Sequence, residues 1–470
     1  MNRTWFKVSD VENMTSKEKI TLMEDYVNPG MIKLLKILRF DTPCSVSAEG
    51  VYITLNDGRK ILDMTGGSCV LGLGHNHPRI LEVRRKFAEN KRMEVCKALV
   101  SPYMAALAAN MASLLPGDLQ YSYFCGSGAE AIESALKLAQ KYGGKNRLGL
   151  AYTDRSFHGK SYGSMSVSSM EEHRHNFQLL DKCYQVPYGD SDALEELFRS
   201  KSIENNKPDI CAFVLEAIHG TRIIFPPEGY LKKVRELCTK YDVLLIMDEI
   251  YIGFGRTGYW FAFEADNIVP DIVCYSKSFG GGKASIAGIT ARKPVFLQAY
   301  GKSGDSMIHS STFSGMGEEC ATAIEAVNII KDENLVERAR ELGAYLEMRL
   351  KELKEKHPKR ILDVRGRGLL WGVELEPAAN QIEPIIKRFF PDKLSSLLAL
   401  TGAIVLSELF HAHNILSYLG FTRRNLIVFS PPYIIKKEEL DQAVNALDKI
   451  LSTSWLILTQ RFVARYLVNK

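Results

Sequence analysis

With 470 residues, the chain is too long for one compact core, because single cores stop growing near about 250–300 residues. Its hydrophobic share of 46% and charged share of 24% are ordinary for a globular protein. A net charge of +5 with scattered basic residues gives no reason to expect nucleic acid or an anionic membrane as a partner. The nine cysteines form no CxxC pair, which argues against a disulfide framework and for a cytoplasmic protein.

The N-terminal zone, residues 1–70, is expected to contribute to a small domain. It combines a predicted helix over residues 17–38 with a predicted strand over residues 51–55. Asn56-Asp57-Gly58 then predicts a hairpin turn. The first 19 residues contain no apolar stretch of the kind that a secretory signal needs.

The middle zone, residues 71–315, decides the fold class. Continuous apolar runs predict strands that are buried on both faces, and amphipathic segments between them predict helices such as the one over residues 129–141. Such an alternation is typical of an α/β domain with a mostly parallel sheet. The predicted strands cover residues 121–124, 148–152, 211–215, 243–247 and 272–275.

The C-terminal zone, residues 316–470, is expected to form a small α+β domain. It begins with a long predicted helix over residues 318–356, and its amphipathic end, residues 454–468, is either a closing helix or a partner contact. The longest uncharged run, residues 394–407, is shorter than the ~20 residues of a membrane span. We therefore expect no membrane partner and predict a buried helix followed by a strand in this run.

Residues with chemical function follow each of the five predicted strands. Because ligands of open α/β sheets bind beyond the carboxyl ends of the strands, these residues are expected to meet at one site. In chain order they are Ser127, Gly128 and Ala129, then Phe157 and His158, then Glu216, Asp248 and finally Lys277.

These residue types suit an aldehyde cofactor that carries a phosphate and a protonated ring nitrogen. Gly128 and Ala129 open a helix, whose free N–H groups and positive end favour a phosphate. Asp248 would be satisfied at the end of a dry strand by a cationic ring nitrogen. Lys277 follows an apolar strand, and a desolvated lysine has a lowered pKa and becomes a nucleophile toward aldehydes.

Taken singly, each of these residues has a plainer explanation. Ser127 can simply cap a helix, Asp248 can form a salt bridge with Arg256, and Phe157 can belong to the core. A lone lysine such as Lys277 is usually solvated. Histidine pairs such as His75 and His77 have no carboxylate or cysteine set at metal-ligand spacing, so no metal site is predicted.

Six motifs follow one another along the chain: GLGHNHP at 72–78, FCGSGAEAIE at 124–133, SFHGK at 156–160, DEIYIGFGRTG at 248–258, SKSFGGG at 276–282 and STFSG at 311–315. In order and spacing they resemble the class III (ornithine/ω-amino acid type) aminotransferases, which are pyridoxal-phosphate enzymes of fold type I. The resemblance extends from about residue 41 to about residue 451. It implies a large domain with a seven-stranded-type sheet, a smaller domain built from both chain ends, pyridoxal 5′-phosphate as cofactor, and an obligate homodimer.

The resemblance also implies a role for each site residue. Lys277 would hold the cofactor as a Schiff base and move the proton, and Asp248 would pair with the pyridine nitrogen. Thr312 would reach the phosphate of the partner subunit's cofactor. Ser127, Gly128 and Ala129 would hold the phosphate, and Phe157 would stack on the ring. The remaining cofactor-binding residues would be His158, Glu216 and Tyr251. Tyr251 stands where many members of the family have Gln.

The chain departs from the ornithine- and GABA-type members where an arginine grips the substrate carboxylate. Val428 occupies that position here, so bidentate carboxylate recognition is lost unless Arg423 or Arg424 replaces it. Glu216 is then either protonated or meets another cation, such as a diamine. We therefore expect small-molecule substrates. The amino donor would be a terminal amine, a diamine or an ω-amino acid, and the acceptor a 2-oxo acid. In the other direction, an amino acid would be the donor and an aldehyde or ketone the acceptor.

Two alternatives stay open at this point. An aminomutase or a decarboxylase shares the fold and all six motifs, and the need for a separate amine acceptor would distinguish a transaminase from them. A non-catalytic relative is disfavoured because Lys277, Asp248 and the phosphate loop occur together.

Overall fold

The computed structural model describes residues 5–41, 43–204, 207–378, 397–420 and 425–467. In chain order the strands are β1 (Ser45–Glu49), β2 (Tyr52–Leu55), β3 (Lys60–Asp63), β4 (Leu119–Cys125), β5 (Gly149–Thr153), β6 (Cys183–Val186), β7 (Ser202–Glu204), β8 (Lys207–Pro208), β9 (Ile210–Leu215), β10 (Leu244–Asp248), β11 (Ile272–Tyr275), β12 (Ala287–Arg292), β13 (Ile361–Arg367), β14 (Leu370–Leu375), β15 (Ile415–Leu416), β16 (Tyr418–Leu419) and β17 (Leu426–Phe429).

The helices of the same ranges are α1 (Val8–Glu12), α2 (Ser16–Tyr26), α3 (Pro29–Leu38), α4 (Gly66–Cys69), α5 (Pro78–Glu89), α6 (Pro102–Leu114), α7 (Gly128–Gly143), α8 (Tyr162–Ser166), α9 (Glu171–Arg174), α10 (Ser191–Ser200), α11 (Tyr230–Lys240), α12 (Lys293–Tyr300), α13 (Gly317–Asp332), α14 (Leu335–Lys356), α15 (Leu397–His413), α16 (Lys437–Ser452) and α17 (Trp455–Leu467). Short 3₁₀ turns occupy Ala262–Asp266, Lys277–Gly280 and Ser303–Asp305.

A seven-stranded sheet in the order β4-β12-β11-β10-β9-β5-β6 forms the centre of the molecule. Strands β6, β5, β9, β10 and β11 pair in parallel, and β12 runs antiparallel between β11 and β4. The expected mostly parallel sheet and its five predicted strands are confirmed. Strands β6 and β12 were not predicted, because neither contains a long apolar run.

Helices cover both faces of this sheet. Alternate residues of β9 enter two separate apolar clusters, Phe213 and Leu215 in one and Ala212 and Val214 in the other. Helix α7 covers the second cluster with its buried apolar residues. Burial on both faces is the reason why these strands are apolar along their whole length.

Strands from the two ends of the chain share a second sheet. The hairpin of β2 and β3, whose turn was predicted, lies in the four-stranded sheet β1-β2-β3-β15, where β15 pairs in parallel with β3. A third sheet has the order β13-β14-β17-β16, and β7 and β8 form a two-stranded sheet. The division of the chain at residues 70 and 315 stays a prediction.

Two predicted long helices are in fact interrupted. The helix expected over residues 17–38 is broken where the Asn28 side chain caps α3 and Pro29 takes its first position. The helix expected over residues 318–356 is broken at Asn334, whose φ of 52° lies in the left-handed region. Both breaks were missed because the apolar periodicity of the sequence continues from one helix into the next.

Two segments near the C-terminus are helical where a strand or a partner contact was considered: Leu397–His413 and Trp455–Leu467. The strand predicted at the end of the run 394–407 is wrong, since α15 continues to His413 and buries Ile404 and Val405 in the core. The amphipathic end of the chain forms α17, which packs on α15 and α3 and buries Phe462. Within the described ranges, no helix combines the length and apolar character that a bilayer crossing requires.

Gly343 in α14 provides a test of how tightly the helix packs on the turn between β13 and β14. A Cβ at this position would lie 2.5 Å from the Cα of Gly368. Gly343→Ala is therefore expected to lower the free energy of unfolding by about 1–3 kcal/mol through overpacking, although alanine is the better helix former by about 1 kcal/mol. Urea denaturation followed by circular dichroism measures the change.

The control is Glu341→Ala at an exposed position of the same helix, which should change the stability by no more than about 0.5 kcal/mol. A Gly343→Ala variant as stable as the parent would contradict the close packing.

Candidate active site

A cavity of about 420 Å³ lies at the carboxyl edge of the seven-stranded sheet. It brings together nine of the ten predicted site residues, since the ends of β4, β5, β9, β10 and β11 meet at this edge. These nine are Ser127, Gly128, Ala129, Phe157, His158, Glu216, Asp248, Tyr251 and Lys277. The tenth, Thr312, is exposed and does not line the cavity of its own chain.

Lys277 is held in an unusual backbone conformation two residues beyond β11. Its φ of 52° is left-handed, which costs free energy in a residue other than glycine and is found at functional sites. Burial lowers the pKa of its ammonium group, and electrostatic interactions with Cys69, Asp248 and Glu216 oppose that change only in part. The Nζ atom lies 4.5 Å from the centre of the Tyr251 ring.

Asp248 is paired with a histidine. The Nδ1 atom of His158 lies 2.6 Å from Oδ2 of Asp248, and the amide of Ile250 donates to Oδ1 at 3.0 Å. Burial alone would lower the pKa of His158, but the hydrogen bond to Asp248 and the charges of Asp248 and Glu216 raise it overall. The two side chains therefore form a buried hydrogen-bonded pair, which is an ion pair when His158 is protonated.

Arg256, the alternative partner of Asp248, lies elsewhere. It is fully buried and donates to the backbone oxygens of Leu369 at 3.0 Å and Pro431 at 2.5 Å. Its guanidinium stacks on the ring of Tyr433, with 4.5 Å between Cζ and the ring centre. The predicted alternative, a salt bridge between Asp248 and Arg256, is thus wrong.

Glu216 is satisfied by the backbone. The amides of Phe157 and Gly220 each donate to one of its carboxylate oxygens at 3.1 Å. Burial raises the pKa of Glu216 to about 7, while the charge of His158 and the two amides act in the opposite direction. Both protonation states of this carboxyl group are therefore populated near neutral pH.

The N-terminus of α7 faces the same cavity. Ser127 caps the helix by accepting from the amide of Glu130 at 3.3 Å, which leaves the first amides of the helix free for a ligand. A Cβ on Gly128 would lie 3.0 Å from Cγ2 of Ile250, so glycine keeps this edge of the cavity open. A phosphate group fits such an end because it supplies negative charge and acceptor oxygens.

The cavity residues that were not predicted from the sequence include three with hydroxyl groups: Ser68, Thr221 and Tyr418. Thr221 is 7% exposed, and its Oγ1 has no hydrogen-bond partner among the described residues. Ser68 lies in α4, directly after the second sheet's strand β3, and Tyr418 lies in β16 of the third sheet. No local pattern in the sequence shows that these segments reach the cavity. All three present hydroxyl groups, so this side of the cavity is neutral and polar.

Val428 does not reach the cavity. It is buried in β17, where it pairs with Tyr418, and Tyr418 is the residue of this pair that lines the cavity. Arg423 and Arg424 lie outside the described residues. Of the residues that the structure describes, none of those lining the cavity is an arginine, and no cluster of three or more His, Cys, Asp or Glu side chains is arranged to hold a metal ion.

Comparison with known proteins identifies the group to which this architecture is similar. The family described as aminotransferase class-III matches residues 41–451. An ornithine aminotransferase from Toxoplasma gondii, solved with pyridoxal phosphate partially occupying its active site, is 26% identical with a TM-score of 0.81, and the match covers 98% of this chain and 100% of that one.

Two transaminase structures are similar to the same extent. An (S)-enantioselective omega-transaminase from Thermomicrobium roseum is 25% identical with a TM-score of 0.79, and the match covers 96% of this chain and 99% of that one. A transaminase from the marine bacterium Virgibacillus is 26% identical with a TM-score of 0.78, and the match covers 89% and 94%. The resemblance indicated by the six motifs is thereby confirmed.

The ion pair of His158 and Asp248 predicts a pH-dependent contribution to stability. Because the folded-state pKa of His158 is raised above its unfolded value near 6.5, the contribution is full below about pH 6.5 and is lost as the pH rises through the folded-state pKa. His158→Gln should lower the free energy of unfolding by about 1–3 kcal/mol at pH 6, and this deficit should shrink toward pH 9. Urea titrations of the cofactor-free chain between pH 6 and 9 measure it.

His219→Gln is the matched control, with the opposite expected trend. Burial lowers the pKa of His219 to about 3, so its contribution is present above its unfolded pKa and declines as the pH falls below about 6.5. If the loss in free energy of unfolding changed with pH in the same direction for both variants, the assigned ion pair would be refuted.

Proposed function

The chain belongs to the class III aminotransferase family and is a pyridoxal-phosphate-dependent transaminase, and from this we propose that its amino donor is an amine recognised without an arginine. The donor is a terminal amine, a diamine or an ω-amino acid, and the acceptor is a 2-oxo acid. The reverse direction, from an amino acid to an aldehyde or ketone, uses the same groups. The observation that carries this proposal is the arginine-free lining of the cavity among the described residues, with Glu216 at its edge.

The residues around the cavity fit pyridoxal phosphate in three respects. The N-terminus of α7 offers amides to a phosphate, Asp248 offers a buried carboxylate to a ring cation, and Lys277 offers an amine to an aldehyde. When bound, pyridoxal phosphate supplies an electron-withdrawing ring that takes up the electron pair left when a proton is removed from the amine-bearing carbon. Phe157 lies at the cavity wall, where its ring can cover one face of a planar group.

We assign the proton transfer to Lys277. Burial lowers the pKa of its ammonium group, which favours the neutral amine, and a neutral amine can accept a proton from carbon and return it at a second position. His158 contributes by fixing the carboxyl group of Asp248 in position through the 2.6 Å hydrogen bond. Glu216 holds the backbone of Phe157 and Gly220 in place.

The donor preference follows from the charges in the cavity. An α-carboxylate brought into the cavity would need a cation, and neutral hydroxyl groups such as those of Ser68, Thr221 and Tyr418 offset its desolvation less well than an arginine does. A second ammonium group, by contrast, would meet the carboxyl group of Glu216, whose pKa burial raises to about 7 and which a neighbouring cation would favour in its ionised form. A diamine therefore suits the described lining better than an α-amino acid.

We also propose a homodimer in which Thr312 completes the partner's site. Exposed apolar residues support a partner surface around Thr312: Phe313 is 65% exposed, Met307 73%, and Val100 in a neighbouring loop 87%. The two loops are joined by a bond of 2.6 Å from Nζ of Lys97 to the carbonyl oxygen of Ser311. Apolar side chains clustered in this way are typical of an interface between subunits.

The donor proposal predicts the response of the bound cofactor to amines added without an acceptor. The visible imine absorbance of the purified protein should be bleached rapidly by a diamine, more slowly by an ω-amino acid, and least by ornithine or glutamate. Stopped-flow absorbance measures the bleaching rates. A tenfold preference for the diamine over glutamate corresponds to about 1.4 kcal/mol. Bleaching by α-amino acids alone would refute the proposed donor class.

Lys277→Ala serves as the control for the same experiment. Without the lysine, borohydride reduction should no longer fix the cofactor covalently to the chain, as mass spectrometry of the intact protein would show. A requirement for added 2-oxo acid in steady-state turnover distinguishes amino transfer from mutase or decarboxylase activity. Turnover without an acceptor would contradict the transaminase reaction.

The dimer proposal predicts that a charge at Phe313 weakens assembly. Phe313→Glu should raise the dissociation constant of the dimer at least tenfold, which corresponds to about 1.4 kcal/mol, because it buries a charge without a partner. Multi-angle light scattering across a dilution series measures the change. Met348→Glu, at a 48% exposed apolar position in α14, is the control and should leave assembly unaltered. A monomeric parent protein would refute the proposal.

A further inference from the structure

Four groups form an unbroken chain of hydrogen bonds beside Lys277. The hydroxyl of Tyr251 is bonded to that of Tyr418, which lies 2.9 Å from Oγ of Ser430, and Ser430 lies 2.7 Å from the carbonyl oxygen of Thr65. The members come from four separate segments: the turn after β3, the loop after β10, strand β16 and the residue after β17. Sequence analysis placed only Tyr251 near the site.

The last member fixes the direction of every proton in the chain. A carbonyl oxygen only accepts, so Ser430 must donate its single proton to Thr65. The hydroxyl of Tyr418 must then donate to Ser430, since Ser430 has no second proton. By the same reasoning, the hydroxyl of Tyr251 must donate to Tyr418.

Tyr251, the first member of the hydrogen-bond chain, contacts the amine of Lys277. The Nζ atom lies 4.5 Å from the ring centre of Tyr251, a distance at which an ammonium group is attracted to the face of an aromatic ring. The other charged or titratable groups that act on Lys277 are the thiol of Cys69 and the carboxylates of Asp248 and Glu216. Tyr251 is thus the aromatic contact of this amine, and Tyr418 sets the orientation of Tyr251.

We propose that Tyr251 and Tyr418 are positioning residues for Lys277: the hydrogen-bond chain fixes Tyr251 so that it presents its ring face to the amine and keeps its hydroxyl proton turned away. The chain ends at a backbone carbonyl, which has no proton to pass on, so it fixes an orientation and does not conduct protons. The inference goes beyond the donor proposal but rests on the assignment of Lys277 as the reactive lysine.

The consequence is a preference for the charged form of the lysine. An ammonium group gains from the ring face, and the hydrogen-bond chain holds the Tyr251 ring in the orientation that provides this contact. Breaking the hydrogen-bond chain at Tyr418 loosens the ring and weakens the contact. It should therefore make Lys277 easier to deprotonate.

The test is a titration of Lys277 in the full chain freed of pyridoxal phosphate. Trace acetylation with acetic anhydride at a series of pH values, followed by mass spectrometry of the Lys277 peptide, gives the midpoint of its deprotonation. In Tyr418→Phe this midpoint should fall by about 0.5–1 pH unit. Ser430→Ala breaks the chain one step further from Lys277 and should shift the midpoint in the same direction, so the test holds even if one variant does not fold.

Tyr275→Phe is the matched control. Tyr275 is fully buried in β11, two residues before Lys277, and its hydroxyl is bonded to Thr290 at 2.9 Å, away from the chain. Its loss should leave the Lys277 midpoint unchanged. A midpoint that stays constant or rises in both Tyr418→Phe and Ser430→Ala would overturn the inference. The measurement requires no amino transfer, so failure of the donor proposal would not affect it. Failed borohydride trapping in the parent protein would separately show that Lys277 is not the reactive lysine.

Discussion

The three ionisable residues Asp248, Glu216 and Lys277, at the carboxyl edge of the large sheet, are each buried with a partner that offsets the cost of leaving water. Asp248 has His158, Glu216 has two backbone amides, and Lys277 has a tyrosine ring with two carboxylates nearby. Removing one partner would leave an uncompensated charge in a medium of low dielectric constant. The positions of the site residues are therefore coupled to one another, and the strands that carry them must be in register for the site to exist.

This coupling extends to the part of the fold that surrounds the site. Arg256, in the loop after β10, uses the backbone of Leu369 and Pro431 as its acceptors and so joins the large sheet to the β13-β14-β17-β16 sheet. Glu249, beside Asp248, accepts from the amides of Ala262 and Phe263 at 3.0 and 3.1 Å and holds the same loop. The segment that carries Tyr251 is thus fixed at both ends by buried polar side chains, Glu249 and Arg256, that are bonded to the backbone.

The sequence predicted those parts of the site that depend on local order. A strand that is apolar along its length identifies its own end, and so the sequence pattern alone assigns Glu216, Asp248 and Lys277 to one edge of the sheet. Tyr418 could not be assigned in this way, because it reaches the cavity from the short strand β16 of a different sheet. Thr221 lies in an irregular loop six residues after β9, where no periodic pattern identifies it. Strand β12 was missed for a related reason, since its small residues lack an apolar run although all but the last are buried between two partners.

A transaminase must accept an amine and an oxo acid in one cavity, which places opposite demands on its charges. A permanently ionised carboxylate would favour the amine and repel the oxo acid, and a permanent arginine would do the reverse. Glu216 has a pKa of about 7, so near neutral pH the free energy needed to change its protonation state is small. Under the proposed function, the carboxyl group can be ionised when a second ammonium group is present and protonated when a carboxylate takes its place. The backbone amides that hold Glu216 are available in either state, so its position does not depend on which substrate is bound.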